Sequence, residues 1–155
     1  MAATIPPFVR LLEQEREVLS GLLTLAGRQE AAMIAGDLVT IDEVVGQESA
    51  LLQREARIAQ HLSGITRSHG GVAGAIAALP EEQRRQAGAL RAELLQLAAG
   101  LNAVSSRLKA LADAGLTRVE FLYQVIARGA EHPGPYRAVR RPAGALRTTV
   151  LNRRI

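Results

Sequence analysis

The sequence predicts an all-α fold: an antiparallel helical hairpin followed by a long third helix, together a three-helix coiled-coil-like bundle. Ala, Leu, Arg, Glu and Gln, all strong helix formers, make up the bulk of the chain, while aromatic residues account for 3%. From 87 to 111 apolar residues fall at Ala87, Leu90, Leu94, Leu97, Leu101, Val104, Leu108 and Leu111, the alternating three-and-four spacing of one helical face. Helix breakers gather at 36–37, at 68–79 and beyond 129, which divides the chain into three long helical segments. At 155 residues it is one domain, long enough to bury a core without disulfides or metals.

Pro6 and Pro7 suit the first turn of a helix, where a missing N–H goes unnoticed, so the first helix is expected over 7–35. Its inward residues pair as Leu11 and Leu12, Val18 and Leu19, Leu25 and Ala26, and Ala32 and Met33, with Leu22 between them. Gly36 and Asp37 end it. Thr40 with Glu43 three residues on has the form of a capping box, which places the second helix over 41–67. The seam of that helix reads Ile41, Val44, Val45, Leu51, Leu52, Ile58, Leu62 and Ile65, interrupted by Glu48 and Glu55. A short connection between two helices of similar length makes an antiparallel hairpin. Gly70, Gly71 and Gly74 mark 68–79 as a flexible connection with at most one weak helical turn, and Pro80, Glu81 and Glu82 restart the helix.

The net charge of +4 belongs to one end of the chain. Residues 130–155 hold Arg137, Arg140, Arg141, Arg147, Arg153 and Arg154 against Glu131, a net of +5, so residues 1–129 together carry −1. Pro133, Gly134, Pro135, Pro142 and Gly144 forbid continued helix there. The expected division is therefore a helical bundle domain over 1–129 and a basic, extended or disordered tail over 130–155.

Length arithmetic singles out the end of the third helix. The first two helices are each about 40 Å long, whereas the third, if unbroken over 80–128, is about 75 Å. Between 116 and 126 the residues Leu116, Val119, Phe121, Leu122, Tyr123, Val125 and Ile126 point to every side of a helix, so none of its faces suits water. Either the chain breaks near Gly115, where Thr117 and Glu120 can cap a short fourth helix that folds back, or the helix continues and its end is a docking surface. Phe121, Tyr123 and Tyr136 are three of only four aromatics, and aromatics are favoured interface anchors, which supports the docking reading.

The chemistry of an enzyme is missing from the sequence. No cysteine is present, which removes disulfides, thiolate catalysis and Cys-bound zinc. His61, His69 and His132 are scattered over a helix, a Gly-rich connection and the tail, without recurring carboxylates at ligand spacing. Glu48 and Glu55 lie about 10 Å apart along a helix, too far for a paired acid and base, and are expected to meet arginines of a neighbouring helix. The glycines near 70 lack the Gly-Lys-Ser/Thr ending of a phosphate loop. No enzyme and no cofactor are expected. The N-terminus lacks a basic region followed by an apolar run, and no stretch has the length of a membrane span, so a cytoplasmic protein without membrane insertion is expected. The arginine-rich tail invites nucleic acid, but Val139, Leu146, Val150, Leu151 and Ile155 fit a protein partner equally well. A homodimer through the 87–126 stripe is a further alternative.

The details resemble one family. Leu11-Leu12-Glu13 and Leu22-Leu23 in the first helix, the small-Gly-Asp-Leu turn at 35–38, Glu48-Ser-Ala-Leu51-Leu52 in the second helix, Leu101-Asn102 in the third and Gly134-Pro135-Tyr136 resemble the FlgN family of flagellar export chaperones over about residues 8–136. Ser105 stands where the family has a second asparagine, and the arginine-rich extension after Tyr136 is foreign to the pattern. The resemblance implies a cytoplasmic type III secretion chaperone that binds the hook-associated proteins of the hook–filament junction and delivers them to the export apparatus. It implies cargo binding by Leu116, Val119, Phe121, Leu122, Val125 and Ile126, and docking on the cytoplasmic domain of the export gate by Tyr123 or Tyr136.

Overall fold

A computed structural model describes residues 7–129, which form α1 (Pro7–Ala35), α2 (Leu38–Thr66), a short 3-10 turn (Arg67–His69), α3 (Val72–Ala77) and α4 (Glu81–Gly129). The tail beyond 129 lies outside the described residues. Among the described residues every element is helical.

The α1–α2 turn is two residues long because both helix ends are satisfied within it. Gly36, at φ 70°, takes the left-handed position that ends α1. The N–H groups of Gly36 and Asp37 donate to the carbonyls of Met33 (3.3 Å) and Ala32 (2.9 Å), the paired bonds of a Schellman ending. Asp37 then caps α2, accepting from the Thr40 backbone N–H at 3.1 Å and from its hydroxyl at 2.6 Å. The cap is thus Asp37 and not Thr40: a carboxylate directly after the left-handed glycine already reaches the third helical N–H, so α2 starts one turn earlier than expected.

Helix α1 is the centre of the bundle. It packs against α2 along one side and α4 along the other, whereas no Cα of α2 comes within 8 Å of one of α4. Helix α2 is antiparallel to α1, as Arg54 on Glu17 (3.4 Å) and Arg28 on Glu43 (3.9 Å) and Gln47 (3.4 Å) show. Helix α4 is parallel to α1, with Arg16 facing Glu93 (3.5 Å) and Glu30 facing Arg107 (2.8 and 3.1 Å). Between these pairs Gly100 lies against Leu23, where an added Cβ would stand 3.4 Å from the nearer methyl. From Arg16 to Glu30, residue n of α1 therefore meets residue n + 77 of α4, while nearer the start Gln86 reaches one turn further along α1 to Glu13 (3.2 Å).

The core is concentrated towards the α3 end. Phe8, Val9, Leu12, Val18, Leu19 and Leu22 of α1 enclose Ile58 and Leu62 of α2, Ala75 and Ile76 of α3, and Ala87, Leu90 and Leu94 of α4. Burying side chains of this size contributes about 1.5–3 kcal/mol each. The ion pairs along α1 are largely exposed and contribute mainly to register.

The Gly-rich connection is more built than expected. Gly70, at φ 72°, closes the 3-10 turn, and the Gly71 N–H donates to the Thr66 carbonyl at 3.1 Å. Helix α3 then wedges between the ends of α2 and α4. It turns so tightly that a Cβ at position 74 would collide with the His69 carbonyl oxygen. Gly74→Ala is accordingly expected to destabilise the fold by about 1–3 kcal/mol through a forced backbone shift, read as a lower midpoint in thermal melts followed by circular dichroism.

Candidate docking surface

The n + 77 register sets Ala35, the last residue of α1, opposite Ala112 of α4. Helix α4 continues to Gly129, so its last 17 residues, a length of about 25 Å, run past the end of the hairpin. No break occurs at Gly115. Thr117 spends its hydroxyl on the Asp113 carbonyl one turn back (3.0 Å) instead of capping a new helix. The fold-back alternative is excluded within the described residues, and the continuous helix stands.

Burial along α4 follows the hairpin's reach. Leu94 is 1% exposed and Val104 7%, Leu108 and Leu111 are half-buried, and beyond the hairpin Leu116 is 53% exposed and Phe121 63%. Val119, Leu122, Tyr123, Val125 and Ile126 are exposed as well, so the overhang brings together every predicted cargo residue and Tyr123. Tyr136 and His132 lie outside the described residues. Asp113, Arg118, Glu120 and Arg128 balance one another in formal charge, which leaves hydrophobic area as the overhang's dominant property.

A second apolar surface was not legible as such in the sequence. The doubled seam of α2 splits: Val44, Ile58 and Leu62 are buried, whereas Val45 and Leu52 are exposed. Leu38, Ile41, Val45, Glu48 and Leu52 follow the same three-and-four spacing and form a line that α1 does not cover. The reason is the open arrangement: a second seam needs a second long neighbour, and α4 stays away from α2. Ile34 and Val39 extend this patch around the hairpin tip. The informative signal was the run of adjacent apolar pairs, one more seam than a helix with a single long partner needs.

The charged groups depart from expectation at one point. Glu17 and Glu43, not Glu48, receive the arginines of the α1–α2 interface. Glu48 has no cationic partner among the described residues, and half-burial raises its carboxyl above the ordinary value of 4.5. Asp37 is held low by the Thr40 hydroxyl, and Glu30 by the Arg107 guanidinium. Glu55 is buried beneath α2. His61 and His69 are exposed and far apart in the chain, His61 on α2 and His69 in the 3-10 turn with its Nδ1 near the Ser68 hydroxyl (3.0 Å).

Because Glu48 titrates higher in the folded state than in the unfolded chain, its charge penalises folding at neutral pH. The penalty is relieved as pH falls through the raised value towards 4.5. The depressed carboxyls act oppositely: the Asp37 and Glu30 contributions are present above their ordinary values and are lost as pH falls through the folded ones. In a chain truncated after Gly129, Glu48→Gln is expected to raise the thermal midpoint at neutral pH and to remove the gain on mild acidification, as melts from about pH 4 to 8 would show.

No helix among the described residues is long and apolar enough to cross a membrane. No curated protein and no solved structure matches the chain. A family model described as FlgN protein matches residues 1–142, nearly the whole chain and all of the described bundle, and leaves 143–155 outside. A hairpin turned on Gly36-Asp37 and a long third helix are what the sequence resemblance led one to expect, and the match agrees with it: the chain belongs to the FlgN family of flagellar export chaperones.

Proposed function

We propose that this chain binds the hook-associated proteins of the hook–filament junction in the cytoplasm, keeps them competent for export and hands them to the export apparatus. The observation that carries the reading is the overhang of α4, a helix with large apolar residues on all sides and none of them covered by this chain's described residues. A helix of that kind is incomplete by itself. Burying even four of its side chains contributes about 1.5–3 kcal/mol each before the costs of association, enough to drive binding.

The geometry also limits what the cargo must supply. Since the overhang is apolar on every side, one partner helix lying along one face leaves the others wet. Cargo that offers two helical segments extends the bundle, taking beyond residue 112 the place that the hairpin takes before it. The work is holding and release, and it requires no cofactor and no bond chemistry.

Export-gate docking is assigned to Tyr123 or Tyr136. Tyr123 lies inside the exposed apolar run, so a gate contact there competes with cargo. Tyr136 follows the run in sequence and is the candidate compatible with a loaded chaperone.

Phe121→Asp combined with Leu122→Asp is expected to abolish co-purification with a junction protein while the helical circular dichroism signal stays nearly unchanged, since both side chains face solvent in the free protein. Retained co-purification would exclude the overhang as the cargo site. Loss of a homodimer in place of a cargo complex would point to self-association through the same stripe.

A further inference from the structure

The hairpin tip carries an uncovered apolar line of its own. Leu38, 76% exposed, Val45 and Leu52 recur every seven residues on α2, with Ile41 and Glu48 half-buried between them. The surroundings are acidic: residues 29–53 contain Glu30, Asp37, Asp42, Glu43 and Glu48 and no lysine or arginine. Arg107 takes Glu30 and Arg28 leans on Glu43, but Asp37, Asp42 and Glu48 have no cationic partner among the described residues. A half-buried carboxylate in an apolar line is a place where an arginine, with its long apolar stem, fits well.

We infer that residues 140–155 of this same chain dock on the Leu38, Val45, Glu48 and Leu52 line of α2. Their sequence has the complementary character: Arg140, Arg141, Arg147, Arg153 and Arg154 interleave with Leu146, Val150, Leu151 and Ile155. The basic tail of +5 thus meets, on the bundle of −1, a region where Asp37, Asp42 and Glu48 are left without a cationic partner among the described residues.

Reach permits it. Gly129 stands about 25 Å past the hairpin tip, and ten residues, 130–139, span up to about 33 Å when extended, more than the return to the tip requires. The stripe from Leu38 to Leu52 is then about 21 Å long, within the span of sixteen residues whether helical or extended.

Other covers fit less well. The overhang is balanced in charge, its Asp113 and Glu120 offset by Arg118 and Arg128, and attracts five arginines less than the acidic tip does. A second copy would bring one acidic tip against another, and like charges oppose that contact. The inference does not depend on what binds the overhang.

The test uses the full chain, whose lack of cysteine allows a single nitroxide label at Ala145→Cys. In a 15N-labelled sample the amides of 38–52 are expected to lose most of their intensity relative to the reduced label, unchanged on about tenfold dilution. Changing Arg140, Arg141 and Arg147 to Gln, which touches no bundle residue, is expected to restore them. Docking on α2 is overturned if those amides are unaffected, or if broadening is strongest at 116–126. It is equally overturned if the effect fades on dilution, which would mark a second copy as its source, or survives the loss of the three arginines.

Discussion

Helices α1 and α4 run side by side and parallel, residue n against n + 77, and the other features of the molecule follow from that alignment. A 29-residue helix held in register with a 49-residue one leaves a remainder, and the register decides where it falls. The Glu30–Arg107 pair at 2.8 Å and the close approach at Gly100 fix the upper part, and Leu12, Leu19, Leu90 and Leu94 fix the lower. A slip of one heptad along α4 would shift the remainder by about 10 Å and turn Gly100 away from Leu23. Because the α3 connection ties the start of α4 near the end of α2, nearly all of the remainder collects beyond the hairpin tip.

Stability is graded along the same axis. Most of the large buried side chains gather near α3, and beyond Leu25 the buried residues of α1 are Ala26 and Ala32. Past residue 112 the hydrogen bonds of α4 among the described residues are those within the helix itself, and isolated helical segments of that length are marginal in water. A partner that covers the overhang therefore does two things: it buries apolar area, and it stabilises helix that the bundle cannot support. Binding at the overhang and local helix stability are therefore linked.

The sequence was most legible where one residue type had one physical role. Gly36 ended α1, Pro80 and the acids after it began α4, and the unbroken heptads over 87–111 marked the face that packs on α1. It was least legible where a local motif had two solutions. Thr40 with Glu43 read as a capping box, but Asp37, one residue beyond a left-handed glycine, takes the cap and accepts from Thr40 itself. Gly115 read as a hinge or as an ordinary helical residue; α4 runs through it without a positive φ, so it is the latter. The doubled seam of α2 looked like core because periodicity reports which residues share a face, not whether a neighbour is there to cover it. That depends on the angle between α2 and α4 around α1, a tertiary property without a local signal. The all-round apolar run at 116–126 escaped this ambiguity, since no orientation of a helix hides it and only length arithmetic was needed.

The central claim is that the end of α4 is helical but uncovered until a partner arrives. Amide hydrogen exchange of 113–129, compared with 87–104 in the same protein, tests it most directly. Free chaperone is predicted to exchange rapidly over 113–129 while 87–104 remains protected, and addition of a junction protein is predicted to slow the first segment towards the second. Protection of 113–129 equal to that of 87–104 in the free, monomeric protein would contradict the account, because the chain itself would then be covering its own end.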